Sequence, residues 1–334
     1  MKGLKIILSI LLSVALIVTL LLTVAFIIYP RAETFAEPET HPYINWMNDY
    51  MSQDTLLTDV VIPGSHDAGS ANLDGSMFPL ARYLLACQNS SIKSQLEAGV
   101  RYFDLRTMLK DGVLYIQHAD YACQRFSAVV SEINEYVQNQ KDFLILNMQH
   151  FTDDEAMKAT FDYLIENITD FRSICLTKEE CDFSTLTLAK IKSLGKRFLI
   201  IWGSEEKPDE SILLDSGKTD GTYETLYSPY IGEIHSSTDE RLLAQLDEYV
   251  NQSKNYHGLF NLQCQRTWSK KELLMGPEQL ERRFSDKAEA YLNSLTDEQL
   301  ACINVIHRDF VTTGNKIATI LKLNERKGNA IKSF

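Results

Sequence analysis

The sequence predicts a closed or partly closed (β/α) barrel behind one apolar N-terminal segment. Short apolar runs alternate with amphipathic stretches of helical period, a pattern typical of parallel strands joined by helical crossovers. No GxGxxG or Walker pattern is present, whereas an open doubly wound sheet usually carries such a glycine-rich turn. Polar residues follow several of the apolar runs, as at the carboxyl-terminal rim where barrel enzymes gather their catalytic groups.

The apolar segment has the length of a membrane span. Residues Ile6–Tyr29 carry no charge and are rich in Leu, Ile and Val, and such a helix can cross the roughly 30 Å hydrocarbon core of a bilayer. Lys2 and Lys5 precede the segment and acidic residues follow it, so the positive-inside rule places the N-terminus in the cytoplasm. A cleaved signal peptide is the alternative, but its apolar region is usually only about 7–15 residues long.

These features divide the chain into three parts. We assign residues 1–31 to an uncleaved transmembrane signal-anchor, residues 32–43 to a linker containing Pro38 and Pro42, and residues 44–334 to one barrel domain. The domain is expected outside the cytoplasm, attached to the cell membrane by a single pass through residues 6–29.

The charge of the chain restricts its partners. It has 33 basic and 45 acidic side chains and a net charge of −12, and residues 1–31 contain no acid. The part beyond the span is therefore strongly acidic. Such a surface argues against a nucleic-acid partner, whose phosphates require basic groups, and against polybasic binding to anionic lipid. We predict no protein partner either.

Six cysteines occur without a CxxC motif, so zinc-ribbon and thioredoxin-like interpretations are weak. An even number beyond a membrane span favours disulfides. Cys175 with Cys181 is the first candidate pair, because the two flank a polar loop. Buried free thiols are the alternative.

The apolar runs predict six strands, and the helical periods predict four helices between them. The strands are expected at Val60–Ile62, Val100–Leu105, Val113–Gln117, Phe143–Met148, Phe198–Trp202 and Cys302–Ile306. The helices are expected after a Ser90-Ser91 cap, around residues 129–137, at Asp154–Ile168 and around residues 242–250.

Polar side chains stand at the carboxyl ends of these strands. They are His66 and Asp67, Asp104 and Arg106, His118, Gln149 and His150, and His307 to Asp309. Two imidazoles, an arginine and carboxylates suit the cleavage of a phosphodiester, which needs a base, an acid and a cation for the phosphate. Structural histidines and a structural Asp104–Arg106 ion pair are the alternatives for single residues. We regard His150, which matches no motif, as structural.

Three motifs carry a family resemblance. Residues 62–70 (IPGSHDAGS), 95–106 (QLEAGVRYFDLR) and 111–118 (DGVLYIQH) occur in this order, and together they resemble the catalytic X domain of phosphatidylinositol-specific phospholipase C. Residues 304–310 (NVIHRDF) resemble the last strand of that family. The resemblance implies a distorted (β/α)8 TIM-like barrel that releases diacylglycerol and a cyclic phosphate from phosphatidylinositol or a related polar or glycosylated lipid.

The resemblance also implies roles for individual residues. His66 corresponds to the general base, His118 to the general acid and Arg106 to the phosphate clamp. Asp67 and Asp104 correspond to supporting carboxylates, and Asp309 is expected to orient His66. Because Arg106 stands where calcium-dependent relatives carry a carboxylate, we expect no metal and no cofactor.

Headgroup recognition departs from the family pattern. Bacterial members carry a lysine where Gln149 aligns, and the strand that ends at Trp202 is not followed by a basic residue. We place Gln149 and Trp202 among the substrate-binding residues.

Two other functions compete with this one. A non-catalytic, membrane-anchored receptor for a phosphorylated lipid or glycan would use the same rim but has no need of two placed imidazoles. A glycerophosphodiester phosphodiesterase would need paired acidic metal ligands near the first histidine, and Asp67-Ala68-Gly69 does not supply them.

Overall fold

The structure, a computed structural model, describes residues 2–28, 43–73, 79–216, 225–229, 238–267, 272 and 275–334. The strands are β1 (Ile62–Ser65), β2 (Tyr102–Lys110), β3 (Val113–His118), β4 (Tyr121–Arg125), β5 (Leu144–Gln149), β6 (Phe198–Trp202), β7 (Leu213–Asp215), β8 (Leu226–Tyr227), β9 (Leu259–Gln263) and β10 (Val305–Arg308). The helices are α1 (Lys2–Ile28), α2 (Trp46–Asp49), α3 (Pro79–Leu85), α4 (Ile92–Ala98), α5 (Phe126–Asn139), α6 (Asp154–Asn167), α7 (Phe171–Ile174), α8 (Leu188–Ser193), α9 (Asp239–Gln252), α10 (Pro277–Ser294), α11 (Asp297–Ala301) and α12 (Lys316–Arg326).

Eight parallel strands form a nearly closed barrel, which confirms the predicted fold class. Their order is β7–β6–β5–β2–β1–β10–β9–β8, and a parallel bridge between Ser216 and Leu226 links the two ends. The first strand lies beside the last one, with Gly64 opposite His307. A Cβ on Gly64 would lie 2.7 Å from the Cβ of His307. A glycine at this position therefore lets β1 and β10 approach closely, just before the segments that carry His66 and Asp309.

The strands β3 and β4 do not belong to the barrel, which corrects the prediction that His118 ends a barrel strand. They form antiparallel pairs, β3 with the distal half of β2 and β4 with β3. The long strand β2 therefore leaves the barrel after Arg106 and continues into a hairpin. His118 reaches the rim from this hairpin and not from the sheet.

Several strand boundaries also differ from the predictions. Val60 and Val61 precede β1, and the last strand begins only at Val305. The short strands β7 and β8 were not predicted, because three and two residues carry too little pattern to be recognised. The strands β4 and β9 were not predicted either. In contrast, the observed bounds of β5 and β6 lie within one residue of the predicted ones, because runs buried on both faces are almost wholly apolar.

The helices pack outside the barrel with the predicted periodicity. Helix α6 begins after Asp153, whose carboxylate accepts a hydrogen bond from Ala156 N at 2.7 Å. Ser91 caps α4 in the same way through Ser94 N. On α5, Val129, Ile133 and Val137 all point into the core. The predicted helical faces are therefore the buried ones.

Helix α1 covers nearly all of the predicted membrane span. Within the described residues, Lys5–Thr23 is the one helical stretch that is long and apolar enough to cross a bilayer. Its large side chains are exposed rather than packed against protein, for example Leu12 and Leu16 at 72%. Residues 32–42 of the predicted linker, with Pro38 and Pro42, lie outside the described residues.

All six cysteines are free thiols in the structure, which corrects the disulfide prediction. Cys175 is completely buried next to β6, and its thiol contacts the carbonyl of Leu176. Cys181 is partly exposed. The alternative of buried free thiols describes Cys87, Cys123, Cys175 and Cys264.

Candidate active site

The carboxyl ends of β1, β2, β5 and β10 and the hairpin β3–β4 surround one cleft of about 500 Å³. Of the eight predicted site residues, six line this cleft, namely His66, Asp67, Arg106, His118, Gln149 and Asp309. Asp104 lies directly behind them and is completely buried. The structure therefore brings together seven of the predicted residues from five segments of the chain.

His66 is held in one tautomer by Asp309. Its Nδ1 lies 2.7 Å from the Asp309 carboxylate, so Nδ1 donates the hydrogen bond and Nε2 faces the cleft. Burial would lower the pKa of His66, but the carboxylates of Asp67 and Asp309 raise it to about 9. When the imidazole is neutral, Nε2 can accept a proton from a bound substrate.

Arg106 connects the two carboxylates beside His66. Its Nε lies 2.9 Å from Asp67 Oδ1, and its Nη2 donates to Asp104 at 2.8 Å. The same Nη2 lies 3.1 Å from His66 Nε2. Although burial disfavours its charge, the two carboxylates raise the pKa of Arg106. A permanently charged guanidinium therefore lies next to the nitrogen that would act as a base.

Asp67 and Asp104 remain carboxylates despite their burial. Burial would raise the pKa of each, but Arg106 and then His66 lower both pKa values. Asp104 also accepts a hydrogen bond from Gln149 Nε2 at 2.5 Å. These contacts fix the guanidinium of Arg106 from behind and leave its cleft side for a ligand.

His118 presents its Nε2 to the same cleft. Its Nδ1 lies 2.5 Å from the carbonyl oxygen of Leu85, and since a carbonyl only accepts, Nδ1 carries a proton. Nε2 lies 3.6 Å from Asp67 Oδ2. The site therefore contains two imidazoles with fixed Nδ1 partners, one guanidinium between carboxylates, and open space in front of them.

Four residues next to these groups have left-handed backbone. Asp67, Ala119, His150 and Phe310 have φ values of 43°, 50°, 52° and 46°. Each directly follows a predicted site residue in the chain. Residues without glycine's freedom adopt such φ values at a cost, and this strain concentrates at functional sites. The left-handed conformation at these four positions turns the chain sharply at the rim of the barrel.

Gln88 was not predicted from the sequence, yet it joins the segments directly after β1 and β10, which carry His66 and Asp309. Its Nε2 donates to the carbonyl oxygens of His66 and Arg308, at 2.8 and 3.0 Å. Its Oε1 accepts from Val311 N at 3.1 Å. Gln88 is completely buried. A lone glutamine in a loop gives no sequence signal for this contact.

Trp202 does not line the cleft, which corrects its assignment as a substrate-binding residue. Its ring is completely buried and packs against Phe151 and Phe161, with centroids 4.5 and 6.1 Å away. The final residue of a strand that is buried on both faces still points into the core. Trp202 therefore stabilises the layer between β6 and α6.

His150 lies on the cleft wall, although its sequence position indicated a structural residue. Burial, followed by the charge of Arg106, lowers the pKa of His150, so the ring is neutral. Neutral polar groups continue the wall towards β8 and β9. Gln263 Nε2 donates to Ser228, and Gln265 Nε2 donates to Gln263 at 3.1 Å.

Apart from Arg106, one arginine and no lysine stands among the described residues that line the cleft. Arg266 is nearly buried, and its guanidinium contacts Asp239 and Glu272 at 3.1 and 3.0 Å. The Oε1 of Gln265 is buried without a hydrogen-bond partner. The wall thus offers amides and hydroxyls, groups that suit a polar headgroup with several hydroxyls.

His307 lies under His66 and fills the space between it and Tyr102. Its ring centroid is 5.2 Å from that of His66, and its Nδ1 lies 3.1 Å from Asn261 Nδ2. Burial, followed by the charge of His66, lowers the pKa of His307 to about 3. His307 is therefore a neutral support of the site and not a proton carrier.

Comparison with known families identifies one matching model. Residues 62–203 match the model for "Phosphatidylinositol-specific phospholipase C, X domain". The matched range begins at β1 and ends directly after β6. It contains every predicted site residue except Asp309, which lies on the later strand segment.

Two relatives illustrate how far the similarity extends. The chain is 24% identical to a 1-phosphatidylinositol phosphodiesterase of Listeria monocytogenes over 286 residues, 84% of each protein. It is 34% identical over 143 residues to a PI-PLC X domain-containing protein 3 of Danio rerio, which covers 33% of this chain and 42% of that protein.

Solved structures show the same fold. The phosphatidylinositol-specific phospholipase C of Listeria monocytogenes superposes with a TM-score of 0.65 at 23% identity, over 84% of this chain and 98% of the other. A variant of the Staphylococcus aureus protein of that name gives 0.66 at 14% identity, over 86% and 98%.

Proposed function

We propose that this chain is a member of the phosphatidylinositol-specific phospholipase C X-domain family, whose model residues 62–203 match, and that it cleaves the phosphodiester of a membrane phospholipid. The substrate would be phosphatidylinositol or a related polar or glycosylated lipid. The products would be diacylglycerol and a cyclic phosphate of the headgroup. The named activity of the Listeria relative, which aligns over 84% of this chain, supports the reaction class.

One observation carries the proposal. His66 and His118 each have Nδ1 bonded to a fixed acceptor and present Nε2 to a single cleft, beside the charged Arg106. A pure receptor for a phosphate needs the cation but not two imidazoles in fixed tautomers.

The proposed reaction begins at His66. In molecules whose His66 imidazole is neutral, Nε2 takes the proton from the inositol 2-hydroxyl, and that oxygen forms a bond to phosphorus. Asp309 stabilises the imidazolium that results. The distance of 2.7 Å between Asp309 and Nδ1 allows this without any movement of the ring.

The second half of the reaction uses Arg106 and His118. Arg106 donates to the phosphate oxygens as negative charge develops on them. The bond from phosphorus to the diacylglycerol oxygen breaks, and the protonated Nε2 of His118 gives that oxygen its proton. Asp67 lies 3.6 Å from His118 Nε2 and 2.9 Å from Arg106 Nε, and it holds both side chains in position.

This mechanism uses no metal ion. The guanidinium of Arg106 supplies the positive charge next to the phosphate and repels a hard cation at the same place. Chelation with EDTA should therefore not lower the rate, whereas a calcium-dependent enzyme would lose nearly all activity.

Helix α1 would keep the enzyme at its substrate. Its charge-free, apolar composition fits a single membrane pass, and the charge pattern around it favours a catalytic domain outside the cytoplasm. The proposed domains are the anchor at 1–31, the linker at 32–43 and the barrel at 44–334.

The test is a lipid panel with the full-length protein in mixed micelles. Phosphatidylinositol, a glycosylated phosphatidylinositol, phosphatidylcholine, phosphatidylethanolamine and phosphatidylglycerol are incubated separately, and released phosphorylated headgroups are measured. We expect release from at least one inositol lipid. Binding of those lipids without release from any lipid would contradict the proposal and identify a receptor.

A further inference from the structure

A thiol lies among the proposed catalytic groups. Cys87 follows α3, lines the cleft and is almost completely buried. Its Sγ lies 3.7 Å from Asp67 Oδ2 and 3.8 Å from His118 Nδ1. The phosphodiester cleavage proposed above gives this thiol no role, so its position calls for a separate explanation.

The groups around Cys87 have the composition of a soft-metal site. Among the described residues, His66, Asp67 and Cys87 form the one group of three potential ligands whose donor atoms all lie within 4.8 Å of one another. Nitrogen, carboxylate oxygen and thiolate sulfur together favour Zn²⁺ or a similar ion over Ca²⁺ and Mg²⁺, which prefer several oxygen ligands.

Two of the three ligand-to-ligand distances match those around a tetrahedral ion, and the third, from His66 Nε2 to Cys87 Sγ, is at most 4.8 Å. With metal bonds of roughly 2.0–2.2 Å to nitrogen or oxygen and 2.3 Å to sulfur, neighbouring ligand atoms lie about 3.4 Å (N to O) and 3.6 Å (S to O) apart. The observed values are 3.4 Å from His66 Nε2 to Asp67 Oδ2 and 3.7 Å from Cys87 Sγ to the same oxygen. The fourth position of a tetrahedral ion is then left for solvent.

Asp67 can serve Arg106 and a metal at once. Its Oδ1 pairs with Arg106 Nε, whereas its Oδ2 faces the histidines and Cys87. The positive charge of the Arg106 guanidinium still repels a hard cation, because such an ion forms no strong bond to a thiolate in compensation. A soft cation can offset this repulsion through its bond to the Cys87 thiolate.

We propose that His66, Asp67 and Cys87 form an inhibitory site for Zn²⁺ or a similarly soft divalent cation. The ion takes Nε2 of His66, the atom that has to accept the substrate proton, and displaces Arg106 from that nitrogen. Binding releases the thiol proton of Cys87 and any proton on His66 Nε2 into solvent. The inhibition rests on the proposed function of the site, whereas the binding itself does not.

The binding test uses Co²⁺ as a spectroscopic substitute for Zn²⁺ in the full-length protein. We expect a cobalt–thiolate charge-transfer band that Zn²⁺ abolishes and that Cys87→Ser lacks. Cys181→Ser is the matched control, because Cys181 is the more accessible thiol, and it should keep the band. A band that persists in Cys87→Ser, or no band in the wild type, would overturn the proposal.

The inhibition test uses buffered free Zn²⁺, with each rate expressed relative to the same variant without metal. Cys87→Ser should raise the half-inhibitory Zn²⁺ concentration at least about tenfold, and Cys181→Ser should leave it unchanged. Millimolar Ca²⁺ and Mg²⁺ should not inhibit. Equal sensitivity of the wild type and Cys87→Ser would refute the site.

Two further results keep the test decisive. If Cys87→Ser does not fold, His66→Ala removes the nitrogen ligand and should weaken Co²⁺ binding, whereas His257→Ala should not. If no lipid is cleaved but the Cys87-dependent band is present, the proposed function fails and the metal site stands.

Discussion

At the scale of single residues, the site is organised by charge. Two buried carboxylates, Asp67 and Asp104, keep Arg106 charged, and Asp309 fixes the tautomer of His66. Each of these groups would be costly alone in a buried position, and each is compensated by a neighbour. A change in one of them should therefore alter the protonation or the position of the others.

The first prediction concerns the protonation of His66. In the wild type its pKa is raised to about 9, so an NMR titration should show it losing its proton far above the usual range for histidine. Asp309→Asn removes one of the carboxylates that favour the imidazolium, and the pKa should fall. His307 is the internal control, because it should stay neutral from pH 5 upward in both proteins. An ordinary His66 pKa in the wild type would contradict this account.

The second prediction concerns the shape of Arg106. Its Nε and Nη2 contact Asp67, Asp104 and His66 together, and a lysine ammonium cannot reproduce that planar fork. Arg106→Lys should therefore lower kcat/KM by about 10²-fold. The control is Arg172→Lys, which changes an exposed ion pair and should not alter the rate. Full activity in Arg106→Lys would remove the guanidinium from the mechanism.

Sequence motifs located the residues that share a cleft, but not all of their neighbours. His66, Arg106, His118 and Asp309 were predictable because each stands in a recognisable segment at a strand end. Gln88 and Cys87 were not predictable, since they lie in a loop whose path depends on the folded barrel. Trp202 was misassigned because the end of a strand does not determine whether a side chain points to the cleft or to the core.

At the scale of elements, the hairpin β3–β4 decides where His118 lies. Parallel strands were predicted throughout, because alternating strands and helices dominate the chain. The two strands joined at Asp111-Gly112 have no helix between them, and they form the antiparallel exception. The barrel itself was predictable from β5, β6 and the helical faces, whereas the very short β7 and β8 required the structure.

The third prediction tests how that hairpin packs against Gly69. A Cβ on Gly69 would lie 2.6 Å from Cγ1 of Ile116, which is in the middle of β3. Gly69→Ala should push β3 outward, move His118 and lower kcat by at least about tenfold. The double variant with Ile116→Ala, which removes both γ carbons, should recover part of that loss. An unchanged kcat in Gly69→Ala would show that His118 tolerates movement of the hairpin.

At the scale of the whole molecule, an acidic barrel follows an apolar helix. The chain carries a net charge of −12, so electrostatic attraction to anionic lipid does not bring it to the membrane. Its attachment would depend on α1, and the barrel would meet lipid because it is tethered there.

The fourth prediction concerns this topology. Protease added to intact cells should degrade the barrel, and the full-length protein should remain with membranes after a high-salt wash, because apolar insertion is insensitive to salt. A variant with two lysines in the span, Leu12→Lys and Leu16→Lys, should lose membrane association. Release of a shortened, soluble wild-type protein would instead show that the segment is cleaved.

The central claim is that His66 and His118 transfer the protons in phosphodiester cleavage. The most direct measurement follows phosphatidylinositol in mixed micelles by ³¹P NMR, with the wild type, His66→Ala, His118→Ala and the exposed-site control His257→Ala. We predict a cyclic phosphodiester signal with the wild type and the control, and a rate about 10²–10⁴-fold lower in each of the other two, with unchanged thermal unfolding. Near-normal turnover in a folded His66→Ala or His118→Ala variant would contradict the claim.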